Sequence, residues 1–114
     1  MPLDFDKSLL LDMDRACRLI LQFKGGLDEA AFRLDEKTQS AVIHQLLILG
    51  EATKRLSEEF RSQHPQIPWS DIARMRDKMI HHYQEVNLRE VWLAAQKDVP
   101  NLLSALEPFV PKQD

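Results

Sequence analysis

Apolar residues recur along this chain at intervals of three and four, the spacing of one face of an α-helix. Leu9, Met13, Cys17, Ile20 and Phe23 form the first such stripe, which predicts a helix from about Asp4 to Lys24. Gly25 and Gly26 stop it. A short turn holding Phe32 comes next. A second stripe, Val42, Leu46, Leu49, Leu56 and Phe60, predicts one long helix. It starts near Asp35, a residue suited to an N-cap, and is broken before Pro65. Gly50 interrupts this stripe and costs about 1 kcal/mol against alanine, so close packing against another helix is its expected role.

The segment HPQIPWSD reads as a loop that opens a third helix, with Pro68 in a first turn. Trp69, Ile72, Met79 and Ile80 share its apolar side through about His82. Asn87 followed by Glu90 resembles a capping box and opens a fourth helix, with Leu88, Val91, Trp92 and Ala95 inward. Pro100 is expected to kink or split this helix, because it removes a hydrogen bond and crowds the preceding turn. Helix resumes to about Glu107, and the tail PFVPKQD is expected to fray. No segment alternates with period two. The pattern predicts an all-α, antiparallel four- to five-helix bundle, one domain over residues 1–114.

Composition narrows the class. Hydrophobic residues are 44% and charged residues 29% of the 114, an ordinary globular balance. The longest aliphatic run, LLIL at 46–49, falls far short of the roughly 18 residues that span a bilayer. MPLDFDKSLLLD lacks the basic start of a secretory leader, so a cytoplasmic protein without membrane association is expected. Cys17 has no cysteine partner and lies on the apolar stripe, as a small buried hydrophobe would. The net charge of −3 gives no broad cationic footprint, so any attraction for nucleic acid must be local.

Candidate chemistry concentrates in RDKMIHHYQ, residues 76–84. On an ideal helix Arg76 and Tyr83 lie about 40° and about 20° from Ile72, on the apolar face, while His81 points about 140° away from Arg76. An arginine on an apolar face is costly unless it is paired, sits at a cleft or snorkels to solvent. Histidine is the usual proton shuttle near neutral pH. Arginine holds phosphate in a fixed fork and stabilises developing charge. With a tyrosine hydroxyl beside them, these groups suit metal-free phosphodiester cleavage in which the RNA 2′-hydroxyl is the nucleophile. The competing reading is a structural pair of histidines on a surface helix. A metal reading offers Asp77 with His81, or His81 with Glu85, at i, i+4, without evident further ligands. His44 reads as a packed or hydrogen-bonded helical histidine, and His64 as an exposed loop residue. Phosphate-binding glycine loops and nucleophile elbows are absent from the sequence.

The pattern R-x4-H-x-Y at Arg76, His81 and Tyr83 resembles the signature of HEPN-domain toxins, specifically the HepT-like branch. LGEATKRLSEEF and IPWSDIARMRDKMIHHYQEVNLREVW resemble that family's segments around the motif, so the resemblance covers nearly the whole chain. It implies a homodimeric helical bundle in which two motif helices meet near the two-fold axis and share one composite cleft. It implies metal-independent RNA cleavage with no cofactor, with His81 as acid/base and Arg76 on the phosphate. It places the chain as toxin in a type II/VII-like toxin–antitoxin module. The partner implied is a minimal nucleotidyltransferase antitoxin that AMPylates Tyr83 and so silences the ribonuclease. The RNA, whether tRNA or mRNA, is not specified. Asp77 stands where this family often has asparagine, placed to orient His81 or to repel RNA phosphate, and His82 is a second acid/base candidate. Two further readings stand beside the enzyme: a non-catalytic partner that binds the nucleotidyltransferase or its nucleotide, and a helical bundle without chemistry.

Overall fold

The computed structural model describes residues 2–81 and 86–112, with side-chain surroundings described from Phe5 onward except at Ile80 and His81. Helix α1 spans Pro2–Lys24 and buries Leu9, Leu10, Met13, Cys17 and Ile20. It ends at Gly25, whose φ of +52° is a left-handed conformation that glycine adopts at little cost. The expected turn around Phe32 is a short helix, α2 (Glu29–Arg33), capped by Asp28, whose Oδ1 accepts from Ala31 N–H at 2.8 Å. Phe32 is fully buried and its ring lies 5.6 Å from that of Trp92.

Helix α3 spans Glu36–Arg55, and Asp35 caps it as expected, accepting from Thr38 N–H at 3.0 Å and Thr38 Oγ1–H at 2.7 Å. The stripe predicted one helix to Gln63, but the chain breaks at Leu56 and restarts as α4 (Glu58–Gln63). Two contacts cause the break. Ser57 Oγ accepts from Phe60 N–H at 3.1 Å and caps the new helix. Asp6, 4% exposed on α1, accepts from Ser57 N–H at 2.9 Å and from its hydroxyl at 2.6 Å. The apolar period survives the break because Leu56 still reaches the core.

Helix α5 spans Trp69–His81. The Trp69 indole N–H donates to the carbonyls of His64 at 2.9 Å and Arg61 at 3.2 Å, which fixes the Pro-rich loop to the helix start. Helix α6 is Leu88–Leu93, with Asn87 Oδ1 accepting from the N–H groups of Arg89 and Glu90. Helix continues through Pro100, and the split that the proline predicts takes the form of a change of hydrogen-bond register just ahead of it. A π-helical turn, Ala94–Asp98, leads directly into α7 (Val99–Leu106). There Val99 N–H donates to Ala94 O, five residues back. Widening the turn shifts the hydrogen-bond register ahead of the proline, which has no N–H to give. The tail does not fray through Phe109: a 3₁₀ turn, Glu107–Phe109, lays that ring 4.1 Å from His64 and 5.8 Å from Phe60. His64 is therefore half-buried in an aromatic cluster rather than an exposed loop residue, because the returning C-terminal segment covers it.

The architecture is all-α, and the described residues include no strand. Helices α1 and α3 run antiparallel: Asp6 meets Ser57, and Met13 Sδ accepts from Thr53 Oγ1–H at 3.9 Å, so the partner number falls as the α1 number rises. Helix α7 packs on α1, and α5 packs on α3. Burial pushes the Cys17 thiol up to about 12, with Asp14 adding to the shift and Arg18 opposing it. A fully buried, protonated thiol is core, not a nucleophile. No described helix is long and apolar enough to cross a membrane.

The close crossing at Gly50 is borne out. A Cβ built there would fall on the Cβ of Arg76 and lie 2.7 Å from its Cγ. Gly50→Ala should therefore lose more from overpacking, roughly 1–3 kcal/mol, than helix propensity returns, about 1 kcal/mol. Urea unfolding should show a lower midpoint. A midpoint equal to or above wild type would contradict the crossing.

Candidate active site

Arg76 lies in the middle of α5, where that helix crosses α3. Its stem rests over Gly50, and its guanidinium emerges beside the next residue, Glu51. Nη2 stands 2.8 Å from Glu51 Oε2, and Nη1 donates to Asp77 Oδ1 at 3.2 Å. Asp77 Oδ1 also accepts from Lys54 Nζ at 2.9 Å. Two cations and two carboxylates from α3 and α5 thus form one cluster. It is the reason an arginine is tolerated on an apolar face: the head group is paired rather than left bare. The Arg76 side chain keeps 24% of its surface, and its Nε is buried without a partner.

A guanidinium has five N–H groups. The Nε–H is enclosed, and each terminal nitrogen faces a carboxylate while retaining at least one further N–H. Arg76 can therefore meet an additional anion without breaking its pairs. It opens onto a groove between α1, α3 and α5 whose polar rim is Asp12, His44, Glu51 and Arg55, above apolar side chains including Leu47 and Ile48.

His44 differs from its expected role. It is exposed at this rim, not packed in the core, because two residues along a helix from Val42 and two from Leu46 place it on the outer side of α3. Its position at a groove shared with Arg76, and Glu51 beside the guanidinium, are features the sequence reading missed. The usable signal for Glu51 was Gly50: an interior glycine marks a helix crossing, and its neighbour then stands at the rim.

Asp77 is held below its ordinary carboxyl value, first by the Lys54 hydrogen bond and then by that of Arg76. Its carboxyl is committed to these two cations. His81 is the last residue of α5, but its side chain lies outside the described residues, as do His82, Tyr83 and Glu85. The structure thus places Arg76 and Asp77 together and leaves the rest of the motif unplaced.

The fold and this cluster define a helical bundle with an anchored arginine at an open groove, on the helix that ends in His81. Comparison with known proteins assigns the class. The family model for Ribonuclease HepT-like proteins matches residues 13–109, and the chain belongs to that family. It is 43% identical over 101 residues to the "Probable ribonuclease HepT" of Thermococcus cleftensis, covering 89% of this chain and 92% of that one. It is 37% identical over 110 residues to a "Putative RNase" of Methanocaldococcus jannaschii, covering 96% of this chain and 91% of that one. No solved structure gives a significant match.

A carboxyl with a lowered folded-state pKa contributes stability that is present above its unfolded value and lost as pH falls through the folded one. For Asp77 that window opens at the ordinary value of 3.8 and extends below it. A carboxyl 13C titration should place Asp77 below 3.8, and Lys54→Ala should move it back up. A wild-type midpoint at or above 3.8 would rule out the paired geometry.

Proposed function

We propose that this chain is a metal-independent endoribonuclease that acts as a homodimer, the toxin of a toxin–antitoxin module. The observation that carries the reading is Arg76: a guanidinium anchored at a groove, with N–H groups to spare, on the helix whose last turn holds His81. The names of the relatives, probable and putative ribonucleases, point the same way.

In this reading two copies bring their α5 helices together and share one cleft. Arg76 binds a non-bridging phosphate oxygen and offsets the charge that builds in the transition state. His81, neutral, takes the proton of the RNA 2′-hydroxyl. The 2′-oxygen bonds to phosphorus, and the bond from phosphorus to the 5′-oxygen breaks. A second imidazole, the partner's His81, gives the 5′-oxygen its proton. The products are a 2′,3′-cyclic phosphate and a free 5′-hydroxyl. His82 is the alternative acid/base, and Asp77 serves indirectly by helping to hold Arg76.

Silencing fits the same site. A nucleotidyltransferase partner would transfer AMP from ATP to the Tyr83 hydroxyl, forming the phosphotyrosyl bond and releasing pyrophosphate. The added phosphate, two residues beyond His81, would compete for the anion site that RNA needs.

Unmodified protein should cut RNA in the presence of a chelator. Arg76→Ala and His81→Ala should each lower the rate by at least about 100-fold. Intact RNA after incubation with wild-type protein, shown by mass to be unmodified, would sink the enzyme reading and favour a non-catalytic partner of the nucleotidyltransferase. Light scattering at micromolar concentration should give twice the 13.3 kDa chain mass, and a monomer would remove the shared cleft.

A further inference from the structure

We infer that Glu51 is a positioning residue for Arg76: its carboxylate, delivered from α3, aims the guanidinium into the groove. This inference rests on the ribonuclease reading for its kinetic consequence but not for its geometry.

Three observations carry it. The Arg76 stem has its origin fixed by the crossing at Gly50, where no side chain separates the helices. Beyond the stem, Nε has no hydrogen-bond partner, so no polar contact along the side chain sets the plane of the guanidinium. That plane is decided by the two terminal nitrogens alone. Of their two acids, Asp77 is the next residue on the same helix, stands further away at 3.2 Å, and is shared with Lys54. It moves with α5 and has a second claim on it. Glu51 stands on the other helix at 2.8 Å and has no other ion pair among the described residues. Glu51 ties the direction of Arg76 to α3 directly, whereas Asp77 reaches that helix only through Lys54.

Positioning and competition make opposite predictions. A carboxylate that aims Arg76 raises the rate of the chemical step. A carboxylate that merely occupies Arg76 competes with phosphate, and its removal tightens RNA binding. Half of the Glu51 side chain is exposed on a helix surface, so alanine there should leave the fold intact.

The test uses full-length Glu51→Ala and Glu51→Gln, each checked for a melting temperature close to wild type. Glu51→Ala should lower kcat about tenfold or more and leave KM within about threefold. Glu51→Gln, whose amide oxygen can accept from Nη2 at the same position, should recover to within about threefold of wild type. A second readout is independent of activity. In 15N spectra, the two Nη atoms of Arg76 should give separate signals in wild type and in Glu51→Gln, and merge in Glu51→Ala as the guanidinium, left with Asp77 alone, turns faster. An unchanged kcat, a lower KM, or Nη signals that stay separate in Glu51→Ala would overturn the inference. If wild-type protein cuts no RNA, the ribonuclease reading fails, and the Nη signals alone decide whether Glu51 positions Arg76.

Discussion

The close approach of α5 to α3 at Gly50 governs both the packing and the chemistry of this protein. With no side chain on α3 at the crossing, the backbone of one helix touches the arginine stem of the other. That contact decides which residues of α3 can reach α5. Glu51 and Lys54 lie one and four positions further on, within about one turn, and both find charged partners on α5. A glycine that weakens its own helix here sets the distance at which a charge cluster forms.

That cluster explains how an arginine stands on the apolar side of a helix. A half-buried guanidinium loses part of its hydration, and only opposite charge within hydrogen-bond reach offsets the loss. Glu51 and Asp77 supply it from two helices. Exposed pairs such as Lys54–Asp77 contribute little to stability, on the order of 0–1 kcal/mol. Their consequence is directional, since a guanidinium held at both terminal nitrogens presents its remaining N–H groups along fixed lines. A cation whose acids leave some of its N–H groups free can meet a further anion locally, which is compatible with a net charge of −3.

Much of the fold was legible from periodicity and caps. The all-α class, the end of α1 at Gly25, the Asp35 and Asn87 caps, and burial of Cys17 all depend on residues within one or two turns of each other. The misreadings share a different cause. The break at Ser57 depends on Asp6, fifty-one positions away in the chain. The ordered tail and half-buried His64 depend on Phe109 returning to Phe60. The change at Pro100 takes the form of a π turn, which no propensity marks. The site divides likewise: Arg76 was recognisable by its motif spacing, whereas Glu51, though inside the family-like segment LGEATKRLSEEF, and His44 belong to another helix and carried no spacing that tied them to Arg76.

The sequence by itself determined that this chain is a helical bundle of a ribonuclease family, because helical period and motif spacing are local properties written in the order of residues. It also determined that Arg76 would stand on an apolar face, since that comes from the angle per residue. What the arginine does there was decided only by tertiary structure. One partner of its guanidinium, Asp77, is the next residue, but the other, Glu51, comes from a helix some twenty-five residues earlier, and a contact across that separation depends on where two helices cross, which period and spacing do not contain.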